Sequence, residues 1–322
     1  MAERIKIAIC ISGQTRHFNK KKQYTDDFNK ILSLFDEYDY DLFGHTWADQ
    51  EDPHPEVLNR FTEYRSDPQS IIWDTIANPD AHINKINIHM SNPQHKHHWT
   101  EFLQMRREWM QKSEYLDILN SKSDKSFIDF AKERINGALG QTWSAHESFL
   151  LTQKDVLTSN ARKLVDNDYK FVVKLRWDSM INLYHGHEYT EKTINIFKDN
   201  VYNWSHEKYE FSKDFHVDNP TCLCTNDMIC EWEQYPWSND HIYLFDYKCL
   251  KKYVLEYSPY EMYLQLLNRL SGVDYNVPWI PSAHTLWMQW ILCAGFTVSP
   301  LLPNFLQANG PNEDKINKEW NI

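Results

Sequence analysis

Glycine is scarce in this chain, 8 of 322 residues, and the scarcity bears directly on nucleotide-binding signatures. No G-x-G-x-x-G follows a strand-like run and no G-K-[ST] closes a loop, so neither a dinucleotide fingerprint nor a Walker loop is present. A phosphotransferase is a poor fit for the same reason. Cysteine is thin as well: the six thiols at 10, 222, 224, 230, 249 and 293 are too few and too unevenly spaced for a disulfide framework. Reduced thiols in a cytoplasm are expected. The cluster Cys222, Cys224, Cys230 lacks the paired spacing of a structural zinc site, with His216 the one further ligand nearby. Basic residues never gather beyond 19-NKKK-22 and the formal net charge is -11, which argues against a nucleic-acid partner, since that binding rests mainly on neutralising phosphate. No apolar run reaches 18 residues, so no transmembrane segment and no secretion signal are expected; peripheral association with a membrane is left open.

Aromatic residues, by contrast, abound: 13 Trp, 18 Tyr and 16 Phe. Such a set suits stacking on flat rings or sugar faces, and equally the filling of a core. Apolar residues at 42% and charged residues at 25% are ordinary for a globular protein, and the length suits a large α/β domain, taken here as one unit over 1–322.

Hydrophobic patterning supplies the order of elements. The run 4-RIKIAICIS-12 has the β-branched content of a central strand and breaks at Gly13. Phe28, Ile31, Leu32 and Phe35 then recur at helical spacing, and 39-DYDLFGHTW-47 reads as a second strand, completing a βαβ unit and implying a mostly parallel sheet. A strand is expected near 70-SIIW-73, then a helical insertion over 79–140 that includes the solvated, histidine-rich stretch 89-HMSNPQHKHHW-99. Trp143, Leu150, Leu157 and Leu164 predict one helix over 143–164, its stripe interrupted by His146 and Gln153. The run 168-DYKFVVKLRWDSMIN-182 predicts a buried strand that ends in Arg176, Trp177 and Asp178. Further on, 199-DNVYNW-204 and 237-WSNDHIYLFD-246 read as strands, 247–270 as helix broken at Pro259, 284–295 as helix, 296-FTVSPL-301 as strand and 307–322 as a frayed tail.

In open α/β sheets ligands bind beyond the carboxyl ends of the strands. Three strand-like runs end in polar groups: Ser12, Gly13, Gln14, Thr15 and Arg16; His45, Thr46 and Trp47; Arg176, Trp177 and Asp178. In a parallel sheet all three reach one rim. At the first, backbone amides and the Arg16 guanidinium suit a diphosphate, and Ser12 and Gln14 suit a base or ribose. At the third, alternation puts Arg176 and Asp178 on one face with Trp177 opposite, either as a plain ion pair or as a carboxylate holding Mg2+ or Mn2+ over a phosphate.

The succession 7-IAICISGQTRHF-18, 38-YDYDLFGHTW-47, 141-QTWSAHESFLLTQKDV-156, 169-YKFVVKLRWDSMI-181 and 238-SNDHIYLFD-246 resembles the WavE-like glycosyltransferases of lipopolysaccharide-core and capsule loci. Their motifs read ISGQxR, D(V)FxHTW, a Q-x-x-S helix, YDxVIRxRxD and an (N)DxF strand. The likeness comes in pieces, together roughly a third of the chain, in matching order. It implies a GT-A-like, Rossmann-like sheet flanked by helices and the transfer of a sugar from a nucleotide sugar to a glycan or other hydroxyl acceptor. Under that resemblance Ser12, Gly13, Gln14, Arg16, His45, Trp47 and Gln141 would contact the nucleotide sugar. Asp178 would stand at the metal-binding acid, with His284 a further ligand to Mn2+ or Mg2+; Arg176 would face the diphosphate and Asp240 would serve as base for the acceptor hydroxyl. The usual acidic pair is interrupted, because Arg176 stands two residues before Asp178. An alternative of another class is a catalytically inactive carbohydrate- or partner-binding protein that keeps the fold.

Overall fold

The computed structural model describes residues 4–15, 18, 22–48, 51–72, 127–157, 162–165, 169–181, 191–211, 221–225, 241–247, 297–302 and 306–308. The first strand, β1 (Lys6–Ser12), is KIAICIS, and all but its first residue are buried. Helix α1 (Lys22–Ser33) follows and ends in tight turns, with Leu34 and Phe35 amides bonded three residues back to Ile31 and Leu32. Those turns feed β2 (Asp39–Trp47), and the βαβ unit is as the sequence leads one to expect, β1 and β2 running parallel from Lys6↔Asp39 to Ile11↔Gly44. The one-turn helix α2 (Pro55–Leu58) leads to β3 (Glu63–Asp67), parallel to β2.

After these come α3 (Phe127–Leu150), the antiparallel pair β4 (Lys154–Leu157) and β5 (Arg162–Val165), then β6 (Phe171–Arg176) and β7 (Ser179–Ile181). The rest comprises α4 (Glu191–Phe211), β8 (Thr221–Thr225), β9 (Ile242–Asp246), β10 (Thr297–Leu302) and β11 (Leu306–Ala308). Among the described residues seven strands form one sheet in the order β10-β8-β9-β6-β1-β2-β3. It is an α/β sheet, parallel throughout except for β9, which runs against both β6 and β8.

The two faces of this sheet differ, and the difference places the site. One face carries Ile7, Ile9 and Ile11 of β1, Phe171, Val173 and Leu175 of β6, and Ile242 and Leu244 of β9. Phe28, Ile31 and Leu32 of α1 and Phe197, Val201 and Trp204 of α4 cover it in a single apolar cluster. Burying each such large side chain contributes about 1.5–3 kcal/mol. Because side chains alternate along a strand, the intervening residues Cys10, Ser12, Lys174, Arg176 and Tyr243 belong to the other face, with His45 and Trp47 of β2. Helix α3 packs over β1 and β2 there, presenting Ser144 and Ser148, and Thr152 lies in the turn that follows it; all three are fully buried.

Several expectations are corrected. Residues 71–72 are helical, and the edge strand is β3, whose charged text EYRSD hides it from an apolar-run criterion. The helix expected over 143–164 stops at Leu150, where Leu151, Thr152 and Gln153 amides turn back on Glu147, Phe149 and Leu150 carbonyls. Leu157 and Leu164 then lie in the β4–β5 hairpin. The strand expected over 199–204 is part of α4, because Phe197, Val201 and Trp204 are buried at i, i+4, i+7 spacing. In the stretch taken as a frayed tail, Gln307 and Ala308 pair with Met180 and Ser179; 309–322 lie outside the described residues. The expected insertion, 79–140, is described only from 127, where α3 begins, and 89–99, 226–240 and 248–296 lie outside as well. Among the described residues no helix is long and apolar enough to cross a membrane.

Candidate functional site

Strand β1 pairs with β2 on one side and with β6 on the other, so the chain order of the sheet reverses at β1, and the crevice at such a reversal is where α/β sheets take ligands. The two strands end level, Ser12 opposite Arg176. Just beyond, Gly13 adopts φ 103, a left-handed conformation that a side chain would strain, and the loop turns over the sheet rim. A cleft of about 530 Å3, its open mouth included, lies at that point. It is lined by Ser12, Gly13 and Gln14 at and beyond the end of β1, by Lys174 and Arg176 of β6 with Asp178 just after it, by Trp47 of β2, by Gln69, and by Gly137, Gly140 and Gln141 of α3.

The loop is held from four directions. The Gly13 amide donates to Ser144 Oγ of α3 at 2.7 Å, and the Gly13 carbonyl accepts from Thr46 Oγ1 of β2 at 2.9 Å. From the turn after β6, the Trp177 amide donates to the Ser12 carbonyl at 3.2 Å, while the Trp177 indole donates to the His45 carbonyl at 2.9 Å. Thr15 Oγ1 donates to the Glu51 carbonyl at 2.6 Å.

Beneath the loop runs a directed chain of polar groups. His45 is wholly buried, with Nδ1 2.8 Å from Ser144 Oγ and Nε2 3.2 Å from Asp67 Oδ2. Burial pushes the His45 pKa below its ordinary value, and the Asp67 carboxylate only partly opposes this. A carboxylate can only accept, so in the neutral ring Nε2 carries the proton and Nδ1 accepts from the Ser144 hydroxyl, whose oxygen in turn accepts the Gly13 amide. Asp67 also receives Arg65 Nε at 2.7 Å, and Arg65 reaches Glu147 of α3 at 3.3 Å. His45 therefore acts under the loop as a bridge from β2 to α3 and does not line the cleft itself.

At the end of β6, Arg176 and Asp178 form the ion pair that alternation allows, although the strand stops at Arg176 and Asp178 belongs to the following turn. Nε meets Oδ1 and the terminal nitrogen meets Oδ2, both at 2.7 Å, a two-pronged charge-assisted contact. Trp177, between them, points to the apolar face and packs edge-on against Phe18 and stacked on Phe28.

Of the site residues expected from sequence, the structure gathers Ser12, Gly13, Gln14, Trp47, Gln141, Arg176 and Asp178 around the cleft. Arg16, Asp240 and His284 lie outside the described residues. Sequence reasoning passed over Lys174, Gln69, Ser144 and Asp67. Lys174 could have been found: a lysine inside the apolar run 171-FVVKLR-176, two before Arg176, must share its face. Ser144 stands in the Q-x-x-S motif, yet neither it nor Asp67 carries a local sign of its role, because their partner His45 is 99 and 22 residues away.

A divalent cation fits this donor set poorly. Hard cations take oxygen ligands, largely carboxylates. Asp178 is the single carboxylate among the described residues of the cleft, and both of its oxygens are engaged by Arg176. Among the described residues no group of three His, Cys, Asp or Glu side chains could hold a metal ion. No protein-family model matches the chain, and no curated protein is significantly similar to it.

Proposed function

We propose that the protein is a nucleotide-sugar-dependent glycosyltransferase of GT-A-like fold, acting on a glycan or other hydroxyl acceptor in surface polysaccharide synthesis. The observation that carries this reading is the cleft at the chain reversal between β1 and β6, whose lining combines Lys174, Arg176 and Asp178 with three carboxamides and an indole. The order of motifs in the sequence supports it, as do seven of the residues that the resemblance singles out, which share that cleft. Arg176 and Lys174 would neutralise the diphosphate as charge develops on it during departure of the sugar. Gln14, Gln69 and Gln141 offer paired donors and acceptors to a base edge or to sugar hydroxyls, and Trp47 offers a flat face to either. Asp240 would take the proton of the acceptor hydroxyl.

A nucleotide panel tests the proposal. Thermal melts with UDP, GDP and CMP, and release of the same nucleotides from candidate donor sugars, are expected to single out one base. Stabilisation should grow as RT ln(1 + [L]/Kd), about 2.7 kcal/mol at a hundred times Kd. Arg176→Ala is expected to lower nucleotide release at least about 100-fold if the guanidinium meets the departing charge. Indifference to every nucleotide, with stabilisation by free glycans, would replace the enzyme reading with that of an inactive carbohydrate-binding protein.

A further inference from the structure

We infer that helix α3 is the specificity-determining wall of the cleft: Gly137 and Gly140 leave room for one uncharged ring of the ligand, and Gln141 Oε1 accepts an N–H or O–H of that ring. The inference rests on the nucleotide-sugar reading and adds to it where the base or the sugar is read.

Gln141 carries an unmet acceptor. It lines the cleft, and its Oε1 is buried with no hydrogen-bond partner among the described residues. A buried carboxamide oxygen without a donor costs stability, and a ligand N–H or O–H placed against it removes that cost. The neighbouring amide nitrogen lies in the same plane, so Gln141 can return a hydrogen bond to a carbonyl or hydroxyl on the same ring.

The glycines stand where a helix least favours them. Two of the chain's 8 glycines lie in the interior of α3, where glycine is a poorer helix former than alanine. Packing asks for neither of them. At Gly137 an added Cβ would meet nothing within 4 Å, and at Gly140 it would make only ordinary contacts, 3.4 Å to Gln69 Nε2 and 3.8 Å to Trp47 Cζ2. Both glycines line the cleft, so what their missing side chains provide is cleft volume.

The wall is also fixed in place and uncharged. Residues 137, 140, 141 and 144 share one face of α3 at i, i+3, i+4, i+7 spacing. Ser144 ties that face to the loop through the Gly13 amide at 2.7 Å and to β2 through His45 Nδ1 at 2.8 Å, so Gln141, about one turn earlier, is carried on an anchored element. Trp47, Gln69, Gly137, Gly140 and Gln141 bring no charge to the cleft, which suits a neutral ring held by a few polar groups better than it suits a phosphate. Bases and sugars both offer a donor beside an acceptor, and experiment separates the two.

Calorimetric titration of the full chain, with Mn2+ present throughout, tests the inference. The ligands are inorganic pyrophosphate, then UDP, GDP and CMP, then UDP-glucose, GDP-mannose and CMP-sialic acid. Gln141→Leu removes the acceptor and should weaken the preferred ring-bearing ligand about 5- to 100-fold, the loss that follows an unpaired donor, and leave pyrophosphate unaffected. Gly137→Leu fills the open space and should weaken the same ligand at least as much, in a helix that folds as readily as before. A loss already present with the bare nucleotide assigns the wall to the base, and a loss confined to the nucleotide sugar assigns it to the sugar. Folded variants that bind every ligand as the wild type does overturn the inference and leave the glycosyltransferase reading standing. An equal loss for pyrophosphate overturns it as well, since the wall would then not be reading a ring. A loss in one variant alone overturns the role of the other residue. If the wild type binds no nucleotide and no nucleotide sugar, the function reading falls and the inference with it. Circular-dichroism melts show which variants fold, and Gln141→Leu decides should Gly137→Leu fail to do so.

Discussion

At the scale of single residues, His45 concentrates the physical argument. It is an ionisable ring with no exposed surface, neutral because burial disfavours its charged form, and tied to Asp67 on one side and Ser144 on the other. Its folded-state pKa lies below the unfolded value near 6.5, so the unfolded chain binds the proton more readily. The sign follows: the stability tied to neutral His45 is complete above about pH 6.5 and declines as the pH falls below it. His45→Gln should cost about 1–3 kcal/mol at pH 8, where Asp67 and Ser144 lose their partner, and less at pH 5.5, where the wild type bears the cost of protonation. Urea unfolding of both proteins at the two pH values measures the gap. An equal gap would mean that the ring titrates as an exposed imidazole does. Since Ser144 also receives the Gly13 amide, the same substitution should loosen the cleft wall and weaken nucleotide binding.

At the scale of elements, β2 is fitted between its neighbours so closely that one position admits no side chain. A Cβ on Gly44 would come within 2.8 Å of both Phe61 Cε1 and Tyr64 Cδ2, and those rings already pack against Trp177 at 5.3 and 6.1 Å. Gly44→Ala is therefore expected to destabilise by about 1–3 kcal/mol through overpacking. Gly137→Ala, in α3 where an added Cβ meets nothing within 4 Å, should instead stabilise by about 0.5–1 kcal/mol, because alanine is the better helix former. Chemical denaturation of the two variants gives shifts of opposite sign if the packing is as described. The same elements explain what was legible in the sequence. Strands β1, β6 and β9 and helix α1 announce themselves, because their apolar patterns are local and unbroken. The charged edge strand β3 does not, since a solvent-facing edge needs few apolar residues. Leu157 and Leu164 mislead because a spacing of seven keeps residues near one face of a helix and is equally open to a hairpin. The strand ends named the loop and ion-pair residues of the site, while the buried relay through Ser144 and Asp67 depends on long-range contacts that no local pattern encodes.

Across the whole molecule, stability should be graded from the middle of the sheet outward. Strands β1 and β6 are hydrogen-bonded on both sides, and residues such as Ile7, Ile9, Val172 and Val173 are wholly buried. Their amides can exchange with solvent only when the sheet itself comes apart, whereas those of β3, an edge strand of partly exposed residues, can open singly. Hydrogen exchange followed by mass spectrometry should therefore show the slowest exchange in 7–11 and 171–175, and markedly faster exchange in 63–67. The cleft straddles the ends of those two slowest strands, so a bound nucleotide must be released before they separate. At a hundred times Kd it should slow the global set about 100-fold, by the factor 1 + [L]/Kd, while the edge strand changes little. In 12–15, protection should rise through direct contact, before any global effect is resolved. If added nucleotide slowed exchange in 63–67 as much as in 171–175, the edge would be opening together with the centre. The cleft would then sit on a single cooperative unit, and the graded sheet described here would be wrong.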